Sequence, residues 1–182
     1  MDKEKDIETT RAFYGQLFNS SKYVLLVLLI ASVIELYALP TMEGVLAIGI
    51  LLALTLLKIG FIIALSFNQL MKIIGQSHLL SHVLVLFGYL IVLIVLSFAI
   101  DYTALQFVDA IHFKMNNSIG NDGLSVFFDL SYFSLITFSS VGYGDIVPIS
   151  LPAKILVALE VALRFFVLVF GIANVNRIRV NK

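Results

Sequence analysis

Residues 83–100 read VLVLFGYLIVLIVLSFAI, eighteen positions without one charge. A helix rises 1.5 Å per residue, so about 20 such residues cross the roughly 30 Å hydrocarbon layer of a bilayer. Three further runs are long and predominantly apolar, with a few charges: 22–39, 44–67 and 151–174. A water-soluble domain of 182 residues has too little interior to bury them all. Composition agrees, with 60% of residues hydrophobic, 13% charged and a mean hydropathy of +1.01. The sequence predicts an all-α membrane protein with four transmembrane helices. The first and third runs are slightly short, which predicts little tilt or locally thinned lipid.

The basic residues predict the orientation. With four crossings, both termini share one side with the connection between the second and third runs. That side holds Lys3, Lys5, Arg11, Lys22, Lys72, Arg177, Arg179 and Lys182. The other side holds only Lys114 and Lys154, against Glu43, Asp101, Asp109, Asp122 and Asp145. The positive-inside bias then puts both termini in the cytoplasm of a multi-pass protein of the cell membrane. The opening MDKEKDIETTR mixes acids and bases with no small-residue cleavage site, so it reads as a retained segment. Residues 7–23 could lie along the interface as a short amphipathic helix. Zero formal net charge argues against nucleic acid as a partner, and the lack of cysteine excludes disulfides and thiolate chemistry. No HExxH, phosphate loop or cysteine pair is present, and the three histidines are scattered, so no enzyme is expected.

Between the third and fourth runs the chain changes character. NNSIGNDGLS is turn chemistry leading to Ser125 as a helix N-cap. VFFDLSYFSLITF follows, about 13 apolar and aromatic residues and too short to cross. It runs into SSVGYGD. Non-helical backbone at membrane depth is tolerated only where protein or water covers it, so the pattern predicts a re-entrant helix and loop. A pore for a dehydrated cation replaces its water with oxygens, and backbone carbonyls suit that task. Aligning successive carbonyls takes alternate residues out of ordinary L-residue dihedrals, which glycine allows without steric cost. Gly142 and Gly144 alternate with Val141 and Tyr143 in the required way. The carbonyls of Ser140, Val141, Gly142 and Tyr143 would line an axis, with the Ser140 hydroxyl closing the inner end.

SSVGYGD resembles the selectivity filter of potassium channels, usually Thr-Val-Gly-Tyr-Gly-Asp. The likeness extends from about Val83 to Asn174 and is to the small bacterial potassium channels of the pore-module class, here with two additional N-terminal helices. The resemblance implies a homotetramer, because one chain supplies a single filter strand and a ring of oxygens needs four. It implies potassium bound at Ser140, Val141, Gly142, Tyr143 and Gly144, with Asp145, Tyr132, Phe133, Thr137 and Ser139 as support. It also implies that Phe165, Leu168 and Ile172 line the cavity. The chain would then divide into a cytoplasmic or interfacial segment 1–21, two peripheral transmembrane helices 22–67 and a cytoplasmic loop 68–82. The outer pore helix 83–100, an extracellular loop 101–124, the pore helix and filter 125–145, the inner helix 146–176 and a tail 177–182 complete it.

Several residues depart from that pattern. Ser140 replaces threonine, keeping the hydroxyl but losing the methyl that restrains its rotamer. Ile136 stands where some relatives carry a glutamate that contacts the filter aspartate, so Asp145 needs another donor. Tyr132 could serve, or could simply pack with Phe133 around the filter. Arg164 stands where many relatives have a hinge glycine, so bending moves to Gly171 or is absent.

Four charges lie within the runs, where ionisable groups are costly and usually paired. Glu160 and Arg164, four apart with the acid first, are expected to pair. Glu35 is expected to snorkel to the interface. Lys58 would approach Glu160 or reach toward the cytoplasm. His78 and His82 read as interfacial and His112 as an outer-loop residue. No helix carries repeated arginines, so voltage sensing by a charged helix is not expected. The sequence thus reads as a passive potassium channel with no cofactor beyond the permeant K+ and with the lipid bilayer as its solvent. The alternatives are a non-selective cation channel with a relaxed filter, and an ion-coupled transporter or non-conducting membrane subunit.

Overall fold

The computed structural model describes residues 15, 19, 21–76, 80–115 and 122–180, without the side chains of 70–76, 80–83 and 170–180. Three helices among these are long and apolar enough to cross a membrane, Ser21–Thr41, Gly44–Gln69 and Leu84–Val108. The first is α1. Its last turns depart from α geometry, with a π-helical turn over Ile34–Ala38 and a 3-10 turn over Leu39–Thr41. Pro40 cannot continue the amide ladder, and the Thr41 hydroxyl donates to the Ala38 carbonyl at 2.7 Å, so the helix closes there. After Met42 in extended backbone, α2 runs Gly44–Gln76 and α3 runs Leu80–Val108.

Beyond α3 a short strand β1, Phe113–Met115, pairs antiparallel with β2, Ile146–Pro148, in the register Phe113↔Pro148 and Met115↔Ile146. Between the strands lies α4, Gly123–Phe138, and after them α5, Leu151–Val180. Ser150 caps α5 by accepting the Ala153 amide on its hydroxyl at 3.3 Å. The ribbon therefore ties the C-terminal end of α3 to the start of α5.

Helix α3 is the centre of the packing, with α2, α4, α5 and the end of α1 against it. Its buried Leu86, Leu90, Ile94, Phe98 and Tyr102 recur every fourth residue, the ridge that one helix offers to the grooves of others. Tyr102, Phe113 and Phe133 form an aromatic cluster with ring centroids 5.2 to 5.6 Å apart, joining α3, β1 and α4. Leu25, Leu26 and Leu29 of α1 and Val45 and Leu46 of α2 are exposed, as a lipid-facing surface requires.

Three boundaries differ from expectation. The connection expected over 68–82 is mostly helix, because α2 continues through Gln76 and α3 begins at Leu80. The extracellular loop expected over 101–124 begins later, because α3 continues to Val108 and carries Asp101 inside the fold. The acid ended the predicted run at 100, but its charge is compensated internally, so nothing obliges the helix to stop. Helix α4 starts at Gly123, with Asp122 in extended backbone at the N-cap position, so Ser125 is inside the helix and not its cap. The proposed interfacial helix over 7–23 lies largely outside the described residues.

Candidate ion-conduction site

Helix α4 ends in a double hydrogen bond. The Ser140 amide donates to the Thr137 carbonyl at 3.0 Å and the Val141 amide to the Ile136 carbonyl at 2.9 Å. This is the Schellman closure, whose C′ residue adopts the left-handed conformation. That residue is Ser140, at φ 58°. A side chain in this region costs roughly 1–2 kcal/mol, which glycine would avoid. A hydroxyl is thus held where a bare backbone would be cheaper, a backbone outlier of the kind that clusters at functional sites. Ser139 braces the same turn by donating from its hydroxyl to the Leu135 carbonyl at 2.8 Å.

The left-handed conformation then alternates. Gly142 has φ 58° and Gly144 φ 78°, so positive φ falls at 140, 142 and 144. A Cβ on either glycine would meet nothing within 4 Å inside the protomer, so the need for glycine there is conformational. Among the described residues no hydrogen bond ends on the carbonyl oxygens of Ser140, Val141, Gly142 or Tyr143. Backbone acceptors are normally paired, so a run of four free ones is an available set of ligands. The Val141 and Tyr143 side chains are exposed. The Asp145 carboxylate accepts the Ile146 amide at 3.1 Å where the chain enters β2, and Tyr132 of α4 faces that carboxylate. Phe133 belongs to the aromatic cluster, and Thr137 supplies the carbonyl of the cap.

Of the expected cavity residues, Phe165 and Leu168 are exposed on α5, while the Ile172 side chain lies outside the described residues. Helix α5 runs unbroken through Gly171. The expected Glu160–Arg164 pair does not form. Glu160 is fully buried and accepts the Tyr102 hydroxyl at 2.5 Å and the Ser134 hydroxyl at 2.6 Å. These donors on α3 and α4 satisfy both its oxygens, so it has no need of the neighbouring guanidinium. Arg164 instead donates to the Ser140 hydroxyl oxygen and lies over the Phe165 ring, 5.1 Å from its centroid.

The remaining charges within the apolar helices also lie elsewhere than expected. Glu35 does not snorkel, and Lys58 goes neither to Glu160 nor outward. The Lys58 ammonium donates to Glu35 at 2.6 Å and also to Asp101, and all three residues are buried. Sequence spacing could not reveal this triad, whose members come from three helices. Tyr102 and Ser134 were missed as well, although a hydroxyl inside an apolar run is itself a sign that a buried acceptor lies opposite. The side chains of His78 and His82 are outside the described residues. His112 is buried beside β1, with Nδ1 2.7 Å from the Ser150 hydroxyl, and burial holds its pKa below the usual histidine value against the opposing pull of Asp109.

The family model described as Ion channel matches residues 89–180, from within α3 through α4, the glycine turn and α5. The chain belongs to this ion channel family. No curated protein and no solved structure matches it. The channel is a helical membrane protein, and its family region contains the run of free carbonyls as well as Ser140, Glu160 and Arg164.

Proposed function

We propose that this channel is selective for potassium and that the carbonyls of Ser140, Val141, Gly142 and Tyr143, with the Ser140 hydroxyl, are its ion ligands. The observation that supports the reading is the alternation of positive φ at 140, 142 and 144, the backbone pattern that aligning successive carbonyls requires, along a stretch whose carbonyls no described residue engages. A single strand cannot surround an ion, so the channel works as a homotetramer whose fourfold axis gathers four such strands. Assembly would also cover the glycine backbone, which lipid could not accept. In this reading α5 makes the fourth crossing and lines the cavity with Phe165 and Leu168, and α4 is the re-entrant helix. Its negative C-terminal end favours cations at the inner mouth. Tyr132 and Asp145 hold the outer end of the filter. Both termini face the cytoplasm of the cell membrane, and permeation is downhill without a cofactor.

The test is purified channel in liposomes under a potassium–sodium gradient. A reversal potential near the potassium equilibrium value, with block by barium, is expected. Gly142→Ala puts a Cβ at φ 58° and should abolish this current while the oligomer stays intact. Equal sodium and potassium permeability would favour a relaxed, non-selective filter. Undiminished selective current through Gly142→Ala would remove the filter assignment.

A further inference from the structure

The fate of Arg164 has a functional meaning that the family match does not supply. Its expected partner, Glu160, has both oxygens occupied by Tyr102 and Ser134. Among the described residues the salt bridges are those of Lys58 with Glu35 and with Asp101, so no carboxylate neutralises Arg164. Guanidinium stays charged at every accessible pH. Arg164 stands about 20 Å along α5 from Leu151, and it delivers this permanent charge to the Ser140 hydroxyl.

In the potassium-channel reading, on which this inference rests, that same hydroxyl closes the inner end of the ion path. An oxygen that accepts from a guanidinium offers less to an ion, and two like charges at one ligand repel. We propose that Arg164 is a tethered competing cation: its guanidinium and the permeant ion contend for the Ser140 oxygen. In that same position the guanidinium lies over the half-exposed Phe165 ring, whose π face stabilises its charge. The inner site is closed when Arg164 sits on Ser140 and open when an arriving ion displaces the guanidinium from the hydroxyl. Ions driven from the side on which α5 ends press the tether into the site, and ions from the opposite side push it out. The channel therefore rectifies, passing less current when ions enter from the α5 end.

The experiment records current–voltage relations of reconstituted full-length channel in symmetrical potassium, for wild type, Arg164→Lys and Arg164→Gln. Wild type is expected to rectify several-fold, Arg164→Lys to retain part of this and Arg164→Gln to conduct nearly linearly. Guanidinium added to Arg164→Gln from the α5 end should restore the asymmetry. A wild type that is silent while Arg164→Gln conducts would also support the tether, at its limit of full closure. Selective current with the same rectification in wild type and Arg164→Gln would overturn the tether and leave the filter standing. No potassium-selective current in any of the three, with oligomers intact, would overturn the potassium-channel reading itself. If Arg164→Gln does not assemble, wild type decides: rectification must fade as potassium is raised on the side opposite the α5 end, and its persistence would overturn the proposal.

Discussion

Replacing Lys58 by methionine removes one positive charge from between two carboxylates and keeps most of the side-chain volume. The ammonium donates to Glu35 and to Asp101, all three groups being essentially excluded from solvent. Each hydrogen bond to a charged group contributes about 1.5–3 kcal/mol, so the two together come to about 3–6. Breaking a buried pair by removing one partner costs about 3–5 kcal/mol. The two estimates overlap near about 4 kcal/mol. For a chain of this length a melting temperature moves about 2–4 °C per kcal/mol, so Lys58→Met should lower it by about 8–16 °C. The assay is the fraction of detergent-solubilised channel that survives size-exclusion chromatography after heating. Adding Glu35→Gln and Asp101→Asn to Lys58→Met removes the orphaned charges and should recover more than half of the loss. A Lys58→Met protein that melts within about 2 °C of wild type, or a triple variant no better than the single one, would refute the argument that this triad fastens α1 and α2 to α3.

Two further outcomes follow from buried polar groups. Glu160→Gln keeps an acceptor for Tyr102, whereas Glu160→Leu leaves the buried phenol unpaired and should be less stable than the glutamine variant by about 1–3 kcal/mol, read by the same heating assay. The reverse order would mean that pairing the phenol contributes nothing and that apolar packing at this position decides. His112 has a folded pKa below its solution value, so the unfolded chain binds more protons in the window between the two. Its contribution is complete above about pH 6.5 and falls as pH drops through that value toward the folded pKa. Melting curves should therefore show an acid-side loss that His112→Gln reduces; an unchanged loss would assign it to other groups.

The sequence made the apolar helices legible because a bilayer demands length and hydropathy, both linear properties. The glycine alternation in SSVGYGD was legible for a similar reason, since φ preference is local. What lay hidden was every partnership between helices. Asp101 read as a loop acid because its compensating Lys58 is 43 positions away. Glu160 and Arg164 read as a pair because spacing along one helix says nothing of Ser134 and Tyr102 opposite. Ser140 read as a departure that keeps threonine's hydroxyl and loses its methyl, and its left-handed backbone emerges only from the closure of α4.

Residues 141–145 hang between two abutments, the closure of α4 and the first residue of β2. Five residues reach about 17 Å at most, so the spacing of their oxygen rungs is inherited from how far apart those abutments stand. Repacking Phe133 against Tyr102 and Phe113 would slacken or tighten the rungs without altering any residue on the proposed ion path. Tuning of conduction in this chain can be written into its interior, far from anything an ion touches.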